Sequence, residues 1–126
     1  MAILAEALVL LFIFGFVAYV LWKIIPNKAV KQIYPDELKE LLDQGEALFI
    51  DVRPKSEFNE FHIRGFKNIP LRAIKDAALE IEDKSQLIVL TSRTGTAGNE
   101  AAKRLKRRGF TNLMNVQGGM STWGPE

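Results

Sequence analysis

The chain of 126 residues has no cysteine and a single histidine. Without cysteine there is no disulfide, no thiolate zinc site and no iron–sulfur cluster, and one histidine makes a histidine-rich metal centre implausible. No metal and no cofactor is therefore expected. An excess of charge of one sign is also lacking: 17 basic residues face 15 acidic ones, a formal net charge of +2. That balance is too small to argue for nucleic acid as a partner. Charged residues make up 25% of the chain, which places it with folded rather than disordered sequences. The length allows one domain of about a hundred residues and a short appendage.

The appendage is at the N-terminus. Ala2 to Trp22 is apolar apart from Glu6, and as a helix it would span roughly 31 Å, the thickness of a bilayer's hydrocarbon core. It reads as a transmembrane anchor over residues 1–22, with the lipid bilayer as partner of residues 2–22. Tyr19 and Trp22 fall where interfacial aromatics belong, and all 17 basic residues follow the apolar run. The positive-inside tendency then puts a single-pass protein in the cell membrane with its C-terminal domain cytoplasmic. A cleaved signal peptide is the rival reading, but it lacks a basic leading region and a small-residue cleavage site. Residues 23–31, with Pro26 and Asn27, read as a juxtamembrane linker. The run Lys103-Arg104-Leu105-Lys106-Arg107-Arg108 is the densest basic patch, suited to anionic lipid or an acidic partner, or else a solvated helix face whose last-turn cations complement the dipole.

Beyond the linker, helical and strand patterns alternate. Pro35 at a first helical position, Asp36 and Glu37 in the first turn, and Leu38, Leu41 and Leu42 on one face predict a helix that stops at Gly45. Ala47 to Val52 and Leu87 to Leu90 are continuously apolar, as strands covered on both faces are. Phe66 to Ile69 is a short strand candidate, Leu71 to Leu79 a weak helix, Asn99 to Arg108 a helix ended by Gly109, and Asn112 to Val116 a last strand. The fold class is therefore α/β, a mostly parallel sheet flanked by helices and preceded by one apolar helix.

In such sheets ligands bind beyond the carboxyl ends of the strands. Two polar clusters fall there: Asp51-Val52-Arg53, and Ser92-Arg93-Thr94-Gly95-Thr96-Ala97-Gly98. The second reads as a strand running through a short loop into a helix, so backbone N–H groups can converge on an anion in front of the helix. Ser92 and Thr94 are equally ordinary turn and cap residues. Asp51, Arg53 and Glu57 are expected to form a structural polar network. His62 is expected to be a hydrogen-bonded core or rim residue, and Trp123 a packing anchor.

Asp51 to Arg53, Glu57-Phe58, His62 to Gly65, Asn68-Ile69-Pro70, Gly109 to Asn112 and Gly118 to Trp123 together resemble the spaced motifs of single-domain rhodaneses, the sulfurtransferase family. The resemblance runs from about Ile33 to Trp123 and implies a rhodanese-like domain over residues 32–126. In that family the active loop begins with a catalytic cysteine, continues Arg-Ser-Gly, and commonly ends in an arginine. Carried over without a gap, the resemblance puts Ser92 at the catalytic position. Arg93, Thr94, Gly95, Thr96, Ala97 and Gly98 become the ligand-binding loop, and Asp51 and Arg53 supporting residues. Ala97 stands in place of the second cation. The family's chemistry moves a sulfane sulfur from a donor onto the cysteine as a persulfide. A serine hydroxyl cannot form that persulfide, and it stays protonated at neutral pH with no histidine near it in sequence. The resemblance thus implies a non-catalytic module that binds an oxyanion, a sulfane-sulfur donor or a protein partner at the loop. An active sulfurtransferase whose cysteine has been exchanged for Ser92, and a serine-dependent hydrolase or phosphatase-like enzyme, are the alternatives.

Overall fold

The computed structural model describes residues 2–24 and 30–124. The first helix, α1 (Ala2–Ile24), carries the predicted apolar span, Ala2–Trp22, long and apolar enough to cross a membrane. Its side chains from Ile3 to Trp22 stand largely exposed, with Phe12 at 83%. The linker residues 25–29 lie outside the described residues. Both ends of the expected linker are not linker: residues 23 and 24 belong to α1, and β1 (Val30–Ile33) starts at Val30 and pairs with the last strand.

Five parallel strands form the sheet in the order β1-β5-β4-β2-β3, with β2 (Leu48–Asp51), β3 (Lys67–Asn68), β4 (Ile88–Thr91) and β5 (Leu113–Val116). Register is set at the centre, where Leu48 to Asp51 pair with Ile88 to Thr91, and at the edge, where Val30 faces Leu113 and Ile33 faces Val116. All four residues of β4 are buried, which explains its unbroken apolar run. The pleat sends alternate side chains to two cores. Ile50, Ile88, Leu90 and Leu113 join Ile74, Ala78, Ala101, Ala102, Leu105 and Phe110 on one face, under α4 (Ile74–Ala78) and α5 (Thr96–Arg107). Phe49, Val89 and Val116 join Ile33, Leu38, Ile63 and Phe66 on the other, under α2 (Pro35–Gln44). Each large apolar side chain so buried contributes about 1.5–3 kcal/mol.

The α2 helix ends as its sequence dictates: Gly45 takes a left-handed φ of 68° and donates its N–H to Leu41 O. Two elements were not legible in the sequence, β1 and α3 (Lys55–Glu60). The segment Leu71 to Leu79 is a 3₁₀ turn (Leu71–Ala73) leading into α4. The α5 helix starts at Thr96, three residues before the expected Asn99. The loop that feeds it is short because the position before Thr96 is a glycine with φ 96°, which turns the chain sharply into the helix.

Candidate functional site

The carboxyl ends of β2 and β4 are adjacent, Asp51 beside Thr91, so both polar clusters open at one rim of the sheet. Ser92 follows β4 directly. Its Oγ accepts the N–H of Gly95 and the N–H of Gly98, each at 3.0 Å, and the residue is only 1% exposed. Gly98 is the third residue of α5, where a helix has an unsatisfied donor. Two amides of the loop do converge, and the atom they meet is the Ser92 hydroxyl oxygen. The capping reading of Ser92 and the cradle reading describe the same geometry, because the donors that would hold an anion are the ones the hydroxyl caps.

Three further contacts fix the loop, and the sequence indicated none of them as site features. Met120 donates its N–H to Ser92 O at 2.7 Å, and Ser121 donates to Arg93 O at 3.1 Å. The close approach is possible because residue 119 is glycine: a Cβ there would stand 2.0 Å from Ser92 O. Asn115 in β5, fully buried, donates through Nδ2 to Gly95 O at 3.3 Å and to Gln32 Oε1 at 2.9 Å. Gln32 in turn donates to Asn99 Oδ1 at 2.7 Å. The only signal for this network was an asparagine inside an apolar strand. Gly98 is demanded by the same packing, since a Cβ there would meet Asn115 Oδ1 at 2.1 Å.

Asp51 and Arg53 do not enter the cradle. Asp51 is fully buried, and Arg53 meets it through Nε (3.1 Å to each oxygen) and Nη2 (2.9 Å to Oδ2). Arg53 also reaches Phe61 O at 2.6 Å, and Asn68 Nδ2 donates to the backbone oxygens of Asp51 (3.0 Å) and Arg53 (2.9 Å). This is the structural network anticipated: one buried carboxylate, satisfied by a fork of donors, pins the chain that leaves β2. Glu57 is not part of it. Glu57 pairs instead with Arg93, whose side chain is 77% exposed, and so ties α3 to the cradle loop. His62 is a rim residue, exposed, with Nδ1 2.9 Å from Phe58 O and its ring stacked on Phe58 at 3.8 Å. Trp123 packs against the second core as expected, with Lys39 Nζ 5.7 Å above its ring.

Over the cradle lies an open cavity of about 660 Å³, lined by Ser92, Arg93, Thr94, Thr96, Ala97 and Lys103 among others. The basic run is therefore divided. Lys103 borders this cavity with Glu100, whereas Arg104, Arg107 and Arg108 border a different cleft. Thr94, Thr96 and Lys103 border the cavity, while the Gly95 and Gly98 amides are taken up by the Ser92 hydroxyl beneath it.

A model of the rhodanese-like domain matches residues 34–126. Among curated proteins, the adenylyltransferase and sulfurtransferase MOCS3-2 of Zea mays is 31% identical over 110 residues, 82% of this chain and 22% of that one. The thiosulfate sulfurtransferase GlpE of Pseudomonas syringae is 30% identical over 93 residues, 74% of this chain and 86% of that one. The chain spans 51% or less of the length of the first curated relatives it matches. A solved rhodanese-like domain protein from Staphylococcus aureus superimposes with a TM-score of 0.69 at 30% identity, covering 76% of this chain and 93% of that one. The chain belongs to the rhodanese-like domain family.

Proposed function

We propose that this chain is a membrane-anchored rhodanese-like module that binds an oxyanion or a sulfur-bearing partner at the Ser92 loop and does not itself carry sulfur. The observation that carries this reading is the placement of Ser92 Oγ, buried at the focus of the Gly95 and Gly98 amides. A sulfur atom at that point would be held as an anion by the same two donors and by the N-terminus of α5. The oxygen present there is neutral at physiological pH and forms no persulfide. His62, the only histidine, is engaged with Phe58 rather than with Ser92, which argues against a serine nucleophile activated by an imidazole base. Ala97 at the cavity wall contributes no charge, so the cations there are Lys103 and Arg93, the latter already paired with Glu57.

The apolar span of α1 and the basic residues that follow it support an anchor with the domain on the cytoplasmic side. The undistorted cradle also suits a chain in which a native cysteine has been exchanged for Ser92, and the natural gene sequence separates that case from the first. The test is sulfur transfer from thiosulfate to cyanide by the full chain in detergent, beside Ser92→Cys. The expected result is no turnover for the chain as it stands and turnover for the cysteine variant. Sulfur transfer by the chain with Ser92 in place overturns the reading.

A further inference from the structure

A second concave surface lies on the same face of the sheet as α5 and runs from Arg72, next to the Leu71 that lines the Ser92 cavity, toward the opposite end of the sheet. It is a cleft of about 760 Å³ between α4 and the last turns of α5, and six cations line it: Arg72, Lys75, Lys84, Arg104, Arg107 and Arg108. No carboxylate is among its lining residues. Arg104 is partly engaged by Glu100 and Leu71 O, each at 3.3 Å, and Lys84 lies over the Phe110 ring at 4.2 Å. No ion pair engages Arg72, Lys75, Arg107 or Arg108 among the described residues. Leu79, at the edge of the cleft, is 74% exposed. A cluster of like charges repels itself unless an anionic surface lies against it.

Topology says which surface that is. All strands are parallel, so Val30, Leu48, Ile88 and Leu113 mark their starting end, while Ser92 lies at their finishing end. The α5 helix begins at the cradle and runs back through 12 residues to Arg107, a distance of about 18 Å. Arg107 and Arg108, and Lys84, whose carbonyl accepts from Thr111 N–H at 3.1 Å, therefore lie toward the starting end. The chain also enters the domain there, at Val30. Five residues separate Ile24 from Val30, so their Cα atoms can be no more than about 21 Å apart.

We infer that the cleft between α4 and α5 docks on anionic lipid headgroups of the leaflet from which α1 emerges. The inference rests on the reading that α1 spans the bilayer with the domain on the anionic, cytoplasmic side. The short tether keeps the basic end within reach of that surface, where attraction acts over a Debye length of about 8 Å at physiological salt. Leu79 is placed among the cations as an apolar side chain entering the headgroup region is in interfacial helices. Docked this way, the domain turns the Ser92 cradle away from the membrane, toward soluble ligands.

The absence of cysteine gives a clean experiment. Leu79→Cys and, at the opposite rim, Ser56→Cys each accept one label in the full chain, reconstituted into phosphatidylcholine vesicles with and without phosphatidylserine. The expected result is that the Leu79→Cys label loses accessibility to an aqueous quencher only with phosphatidylserine present, while the Ser56→Cys label stays accessible in both. High salt, or Lys75→Gln with Arg107→Gln and Arg108→Gln, restores access. A chain that remains in neutral vesicles after alkaline carbonate extraction, yet shows an equally accessible Leu79→Cys label in both lipids, overturns the docking and leaves an acidic soluble protein as the cleft's partner. A chain that carbonate extracts from the vesicles overturns the spanning reading, and the docking falls with it.

Discussion

Replacing Gly119 by alanine separates two costs that usually travel together. Gly119 has φ 54°, and Gly45, at the end of α2, has φ 68°. A left-handed conformation costs a residue with a Cβ about 1–2 kcal/mol, and that cost applies at both positions. They differ in their surroundings. A Cβ at Gly45 meets nothing within 4 Å, whereas one at Gly119 lies 2.0 Å from Ser92 O and 2.8 Å from both Ser92 C and Gly95 N. Those are backbone atoms, held by the Met120 to Ser92 hydrogen bond at 2.7 Å, so they cannot rotate aside as a side chain tip would. Forcing such a displacement adds about 1–3 kcal/mol. Gly45→Ala is therefore expected to cost about 1–2 kcal/mol and Gly119→Ala about 2–5 kcal/mol. The assay is urea unfolding of the full chain at fixed detergent, with Trp22→Phe in every variant so that Trp123 is the sole tryptophan reporter. Equal destabilisation by the two substitutions refutes the steric argument. In a Ser92→Cys background, Gly119→Ala is also expected to abolish the sulfur transfer gained, because the displaced atoms carry the cradle.

Asp51→Ala leaves the Arg53 guanidinium without its buried counter-ion, and the loss is expected to be about 3–5 kcal/mol in the same unfolding assay; a loss under 1 kcal/mol shows that the network is not structural. Hydrogen bonds from the Ser85 hydroxyl and N–H hold the Asp83 carboxyl below the ordinary carboxylate value. Its folded-state value is depressed, so its contribution to stability is present above the unfolded carboxylate value and lost as pH falls through the folded one. Ser85→Ala is expected to move the Asp83 titration upward in NMR, and an unmoved titration counts against the hydroxyl's role.

The elements that could be read from the sequence are those whose signal is local. The runs of β2 and β4 announce burial on both faces, α2 carries its own start and stop, and the Ser92 loop lies between a strand and a helix that each identify themselves. What the sequence hid depends on partners far along the chain. β1 is an edge strand of mixed polarity, and Val30-Lys31-Gln32-Ile33 becomes a strand only because Leu113 to Val116 lies beside it. The α3 helix is six residues long and puts only Phe58 against the core, so no periodicity marks it. Asn115 and Gly119 each bear on the cradle from sequence positions more than twenty residues past Ser92, and nothing in their immediate neighbours says so. Lys103 shows the opposite failure: a run of cations looks like one patch, but α5 turns its members to different cavities.

Pairing of Val30 with Leu113 has a consequence for how the domain comes into being. The contact joins residues 83 positions apart, so a large loop must close before β1 can bind, and such pairings slow folding. The cradle depends on the same closure, since Gln32 on β1 meets Asn115 on β5, and Asn115 holds Gly95. A chain that has collapsed around β2 and β4 alone has the strand that leads to Ser92 but not the support beneath the loop. The support beneath the Ser92 loop is therefore complete only once the first and last strands have met.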